Sequence, residues 1–475
     1  MSAPSPLPHR DRADDETSLR YMLRLSGPMV VSTISFTIMQ FVDRFMVSRL
    51  GTNALAAILP AGFVSFLPGG FALGSITSRN TFVSQSLGRN ERAACSNYFW
   101  QMLYMGFLYS LAVVALMWPT APLIFEMMGQ PPAVAAMEVT YLRIMLLAHI
   151  AAVVNWSSNQ FFMGIHTPIV TMVSSLCGQV ANVVANYGLI FGKFGLPAMG
   201  IAGAGWGTLT GIAVAAAINL GVFLSGPMNR RFHSRKTLAP DLGKMRDLIG
   251  VGLPAGAGLM LNVALWGVVL FWLVGRFGKE ALAATSAVLS YTNVSAMPIV
   301  GIATALTAAV GKSIGAGRKE LAIRQTQVTL KVGLVYMGLV GGCFFFLRDS
   351  LMVFWSNDPE VVAIGSRILV CAALYQVFHA TRIIYSGALR GAGDTVWLAI
   401  VSGAGSIGIL GAGGALIAWW APSMGPLGPW IVATLSIVAV GLAHRWRFHN
   451  KRWMRIDLFR RRAGAGAVPV DSPAE

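Results

Sequence analysis

Several side chains in this sequence stand where chemistry would be hard to avoid. Asp43 interrupts an apolar run, about fifteen residues after Pro28. An ionised carboxylate is costly there, so Asp43 has to line a cavity, exchange a proton or hold a cation. An ion pair with Arg79 or another arginine would also account for it. Arg44, next in sequence, points to a different side of a helix. Asn182 and Asn186 are four apart and share a helix face. Their amide carbonyls suit a sodium ion or a carboxyl group, although such side chains also simply join helices. His379 and Arg382 are three apart and share a face as well. A histidine can exchange a proton at physiological pH, or it can sit neutral between helices. An arginine within an apolar run should face a cavity, or pair with Asp43 or a lipid phosphate. With Arg79 it points to a substrate carrying a negative group, while snorkelling or pairing would also explain both arginines.

Composition says what surrounds these groups. Of 475 residues, 55% are hydrophobic and only 12% are charged. Soluble domains carry about 25% charged residues, so a soluble enzyme is excluded. Disorder, which needs low hydrophobicity and high charge, is excluded too. The 52 glycines fit transmembrane helices. Lys and Arg number 36 against 19 acidic residues, a formal charge of +17. That surplus lies in short runs between apolar stretches, as the positive-inside rule requires, rather than in a nucleic-acid-binding face. The 4 cysteines are scattered without a CxxC pair, so neither a disulfide framework nor a zinc site is indicated. Residues 1–18 are polar and lack the apolar core of a signal peptide, which leaves the first membrane helix as insertion signal.

A bilayer core of roughly 30 Å needs about 20 apolar residues per helix. Twelve stretches qualify, at 22–48, 55–86, 97–118, 137–162, 168–190, 203–225, 245–275, 282–312, 328–348, 362–388, 395–418 and 428–447. The expected fold is therefore all-α and integral to the membrane. Basic residues follow helices 2, 6, 8 and 10 and fill the C-terminal tail. Both termini are thus expected in the cytoplasm, with the chain crossing a bacterial inner membrane. The expected domains are a cytoplasmic tail at 1–18, a six-helix lobe at 19–227 and a basic linker at 228–244. A second six-helix lobe follows at 245–450, then a basic and finally disordered tail at 451–475.

The two lobes repeat. Gly51 onward lies over Gly278 onward, a shift of 227 positions. Ala54, Leu55, Ala56 and Ala57 meet Ala281, Leu282, Ala283 and Ala284. Gly74 meets Gly301, Val83 meets Val310, Gly88 meets Gly315, and Gly164 meets Gly391. Six helices per repeat is an even number, so both halves enter the membrane in the same direction. Such parallel repeats build transporters that rock two bundles about a central cavity.

The repeated motifs resemble the multidrug and toxin extrusion (MATE) family of secondary transporters, in its NorM-like bacterial branch. The pieces that carry the resemblance are FVDRFMVSRLG in helix 1, VSQSLG and VGKSIGAGR after helices 2 and 8, and GLPAGAGLMLN in helix 7. NVVANYGLIFGKFGLPAMGIAGAGWGT across helices 5 and 6, and SGALRGAGDT after helix 10, complete them. The resemblance spans about residues 20–448. It implies two six-helix bundles arranged in a V and an ion-coupled antiporter exporting amphipathic or cationic compounds. It also implies a coupling site at Asp43, Asn182, Asn186 and Thr208. Arg44 departs from the family pattern. Asn262 and His379 stand where a bacterial branch has a glutamate and an aspartate, so a two-carboxylate sodium site in the second lobe is not expected. Either coupling rests on Asp43 or His379 has taken over proton binding.

Gln40, Arg79, Asn262, His379 and Arg382 are the expected substrate cavity. The coupling ion is expected to be H⁺ rather than Na⁺, with Asp43, Asn182 and Asn186 as the place for Na⁺ otherwise. No enzyme activity, resident metal, cofactor or nucleic-acid partner is expected; the partners are a small-molecule substrate and the bilayer, and the chain is read as a monomer. The alternative is a flippase or an exporter of an anionic metabolite or lipid-linked precursor. Two further patterns carry no chemistry. Gly311–Gly315 matches GxSxG, and Gly403–Gly408 matches GxGxxG, but both lie in helices without the strand that those motifs need.

Overall fold

Twelve helices long and apolar enough to cross a membrane make up most of the chain. They are α1 (Leu19–Ser48), α2 (Thr52–Gly88), α3 (Arg92–Met127), α4 (Pro132–Gly164), α5 (Pro168–Phe191) and α6 (Ile201–Phe223). The second set is α7 (Leu242–Ala264), α8 (Lys279–Gly315), α9 (Lys319–Phe346), α10 (Pro359–Gly391), α11 (Thr395–Trp420) and α12 (Leu427–His449). This computed structural model describes residues 18–459 other than 265, 267 and 268. Residues 1–17 of the N-terminal tail and 460–475 of the C-terminal tail lie outside it.

Local chemistry sets many of the ends. Ser18 caps α1 by accepting from the Tyr21 amide at 3.0 Å. Asp358 caps α10 with Pro359 at its first turn. Gly51 and Gly278, equivalent in the repeat, precede α2 and α8 at φ 105° and 101°. Only glycine adopts that conformation readily, which explains this conserved spacing between the halves.

Two helices are longer than their apolar runs. The expected 97–118 runs from Arg92 to Met127, with Pro119 and Pro122 inside it. The expected 328–348 begins at Lys319. Charged turns that leave the apolar layer carry no hydropathy signal, and membrane helices absorb proline because neighbours re-satisfy the freed backbone. The expected 245–275 has described α-helical parts at Leu242–Ala264 and Leu270–Gly275, and α11 contains a π-helical stretch at Gly405–Gly413.

Four buried apolar clusters show how the lobes meet. Two belong to one lobe each. The first joins Val47, Ala57, Phe125 and Leu142; the second joins Val274, Val288, Ile368 and Trp430. The other two span both lobes. Met22 and Leu25 of α1 pack with the second half of α8, and Leu248 and Val251 of α7 pack with the second half of α2. The lobes are therefore fused where α2 and α8 finish and separate where they begin.

The repeated glycines lie at this fused end. A Cβ on Gly74 would strike the Ala255 carbonyl and Leu259, and one on Gly301 would press on Met29 and Val30. A Cβ on Gly88 would collide with the Lys312 carbonyl, and one on Gly315 with the Gln85 carbonyl. Gly164 faces Val83, and Gly391 faces Val310. Each contact has its symmetry mate at a shift of 227, as a pseudo-two-fold axis along the membrane normal requires. Side chains add polar ties. The Thr81 hydroxyl donates to the Arg390 carbonyl at 2.6 Å, and the Gln85 amide donates to the Gly391 carbonyl at 3.1 Å.

The basic segments are ordered against this end. The linker forms a short helix, Gly226–Phe232, and its 234–239 carbonyls accept from Trp100, Asn97, Gln101 and Tyr104 of α3. After α12 the chain docks on both lobes. Trp453 stacks on Phe448 in one, and Phe459 packs on Phe82 and Tyr98 in the other. Asp394, 5% exposed, takes two hydrogen bonds from Arg447 at 2.7 and 3.3 Å, and Arg447 also lies over the Trp397 ring. Removing one partner of a buried pair costs about 3–5 kcal/mol. Asp394→Ala should therefore unfold at a clearly lower temperature than wild type in detergent, whereas the exposed Asp349→Ala should not.

Candidate functional site

Asp43 lies in the second half of α1, half-buried and on the side of the molecule where the lobes are separate. The Asn186 side-chain amide donates to Asp43 Oδ1 at 2.7 Å and to Asn182 Oδ1 at 3.3 Å. Both asparagines are fully buried. Thr208 on α6 sits beside Tyr141 of α4, which is within electrostatic reach of Asp43. The Thr208 hydroxyl itself donates to the Ala204 carbonyl of its own helix. Asp43, Asn182 and Asn186 thus meet from two helices, and Thr208 on a third is linked to them only through Tyr141. Among the described residues, Asp43 has no ion-pair partner, so the arginine-pair explanation falls away.

The geometry depends on close packing of α5 on α6. Gly203, Gly207 and Gly211 recur every four residues along one face of α6. A Cβ on Gly203 would meet the Leu189 backbone, one on Gly207 the Asn186 side chain, and one on Gly211 the Asn182 Cβ. Small residues at this spacing let membrane helices approach closely. Here they press the two asparagines toward α1. The buried Asn186 Oδ1 and Asn182 Nδ2 carry no hydrogen bond.

The second lobe holds a different arrangement. Asn262, His379 and Arg382 line a cavity of about 320 Å³, with Trp266, Asn293 and Tyr375 among its other walls. Arg382 Nη2 lies 3.0 Å from His379 Nε2. A guanidinium has only donors, so Nε2 accepts and the ring's proton sits on Nδ1. The histidine is thereby held neutral beside a cation. The other side of Arg382 borders a narrow cleft with Ser402, Ser406 and Ser436.

The sequence model of the MatE family matches residues 28–188 and 254–412, one segment in each lobe. The chain belongs to the MatE family. It is a multi-pass membrane transporter of two lobes, not an enzyme. The probable multidrug resistance protein NorM of Chromobacterium violaceum is 29% identical over 446 residues, covering 91% of this chain and 93% of that one. The multidrug resistance protein PmpM of Pseudomonas aeruginosa is 26% identical, covering 95% and 96%. A solved structure described as the outward-facing conformation of a multidrug resistance MATE family transporter has the same fold. Its TM-score is 0.84 at 18% identity, covering 92% of this chain and 96% of that one.

Within this MatE chain the expected cavity residues divide. Asn262, His379 and Arg382 come together, while Gln40 and Arg79 are not among the residues lining that cavity. Gln40 is exposed on α1. Arg79, 6% exposed, lies in the seam between α2 and α7, where a Cβ on Gly252 would strike its guanidinium. The repeat mates of Arg79 and Gly252 are Leu306 and Leu25, an apolar pair in the symmetric seam. Tyr141 and the Gly203–Gly207–Gly211 row were not among the expected site residues. The row was visible as a four-residue period of glycine, whereas nothing in sequence ties Tyr141 to Asp43.

Proposed function

We propose that this MatE chain is a proton-driven antiporter that exports amphipathic drugs or metabolites across the bacterial inner membrane. The observation that carries the reading is the Asp43 carboxylate held by the Asn186 amide, without a cation partner, on the separated side of the lobes. Asn186 turns its NH₂ toward Asp43, so its side chain offers no oxygen to an ion at that carboxylate. A hard metal ion prefers several converging oxygens, whereas a proton needs one. That favours H⁺ over Na⁺. The basic linker, the residues after α2 and α8 and the C-terminal segment lie at the fused end. The positive-inside rule then assigns the fused end and both termini to the cytoplasm, and the gap between lobes to the outside.

In this reading a proton arriving from outside neutralises Asp43. The protonated carboxyl loses its charge-assisted bond with Asn186, worth about 1.5–3 kcal/mol. That loss biases α1 toward the alternative packing of the lobes and favours substrate release. The names of the relatives, multidrug resistance proteins, support a broad range of amphipathic substrates. A second reading, transport of a compound with an anionic group, is favoured by the basic cavity at Arg382.

The test is substrate-triggered collapse of an imposed proton gradient in everted vesicles, with a panel of organic cations and anions. A proton flux that is unchanged when Na⁺ is omitted is the expected result. Flux that appears only with Na⁺ would overturn proton coupling.

A further inference from the structure

We propose that the second-lobe cavity is a binding site for the carboxylate of an amphipathic substrate, recognised by Arg382 and His379. The inference rests on the transporter reading and names one substrate class for it. Both side chains line the cavity, and two buried donors of the pair, Arg382 Nε and His379 Nδ1, carry no hydrogen bond. His379 is 9% exposed. The Nη2 group of Arg382 is already engaged with His379 Nε2, which locks the pair in register and orients its remaining N–H groups. Leaving buried donors unmade is expensive, and both are of the type that a carboxylate satisfies through charge-assisted bonds. Asn262, Asn293 and Thr292 add uncharged polar groups, and no acidic residue is among the described lining.

The rest of the wall is apolar and aromatic. Phe63 of α2 in the first lobe and Trp266, Leu289 and Tyr375 of the second border the same space. A volume of about 320 Å³ is at the small end for organic ligands. The fitting ligand is therefore a compact aromatic or aliphatic body with one acid group.

Packing does not demand this arginine. Its repeat mate is Asn155, which accepts from Asn219 at 2.9 Å within a neutral amide cluster that also includes Asn159. The first lobe thus meets the same architectural need with uncharged groups that hydrogen-bond to one another. The charged donor in the second lobe calls for a ligand.

The experiment is equilibrium dialysis of the purified full-length protein in detergent, corrected with empty micelles. The probes are 2-naphthoate, the neutral isostere 2-naphthamide and the cation 2-naphthylmethylammonium. Wild type should bind the naphthoate at least about ten-fold more tightly than the amide. Arg382→Gln should reduce the naphthoate to the level of the amide, and Arg382→Lys should restore part of the preference. Equal binding of acid and amide by wild type, or a preference that survives Arg382→Gln, would overturn the proposal. If Arg382→Gln does not fold, the wild-type comparison and His379→Phe, which removes the Nδ1 donor, decide it. Asp43→Asn separates the two readings: it should lose proton flux and keep the naphthoate preference.

Discussion

Replacing Asp43 by asparagine should abolish substrate-driven proton movement and export while leaving a folded protein in the membrane. Asparagine matches aspartate in size. Its carbonyl oxygen can still accept from the Asn186 amide, so the contact made at 2.7 Å has a replacement. What it lacks is a proton that can be taken up and given back. The substitution therefore separates packing from titration. Export assays and gradient collapse should fall to the level of vesicles without the transporter, while thermal stability and elution in detergent stay near wild type. Glutamate at the same position should restore some flux. An active Asp43→Asn would remove Asp43 from the mechanism and make the second lobe the place to search. Gly207→Ala is a companion test. Its Cβ would occupy the space of the Asn186 amide, so it should weaken export without touching an ionisable group.

The second large effect is expected at the glycines that close the fused end. Gly88 and Gly315 each abut a backbone carbonyl of the opposite lobe. A carbonyl in a helix cannot rotate aside as a flexible side chain would. Alanine there has to force α2 and α8 apart, and overpacking of this kind costs about 1–3 kcal/mol. In a two-state transporter that energy shifts the balance between states by roughly 5–150-fold. Gly88→Ala and Gly315→Ala should each disfavour the state described here, and the double variant should do so further. A cysteine placed at Ser84, in a background without the native cysteines, reports it. Ser84 is fully buried in this state, so its labelling by a maleimide applied from the side of the fused end should speed up in the variants. Gly338→Ala on α9 is the control, because a Cβ there meets nothing within 4 Å. Equal labelling in wild type and double variant would show that the glycine seam does not govern closure.

Much of this could be read in the residues. The bilayer imposes a length and a polarity on each helix, so the twelve spans stood out from apolar runs alone. The repeat stood out because both halves need glycine at the same close approaches and at the same positive φ. Helical spacing put Asn182 with Asn186 and His379 with Arg382, and both pairs are hydrogen-bonded. The first turns of α3 and α9 are charged or polar and give hydropathy no contrast, whereas the last turns of α3 follow Pro119 and Pro122, residues that usually end a helix.

Sequence by itself determined the class of the protein, its two-fold repeat and the ionisable residues held inside the membrane. These follow from local rules: solvation cost per residue and the periods of a helix. Tertiary structure alone decided which groups meet. It set Asn186 against Asp43, turned Arg382 into a cavity rather than toward Asp43, and buried Arg79 in a seam whose symmetry mate is a pair of leucines. It also decided which end of the lobes is fused. Those outcomes depend on contacts between helices far apart in the chain, and small residues such as Gly207 and Gly88 set them by how closely two backbones can approach.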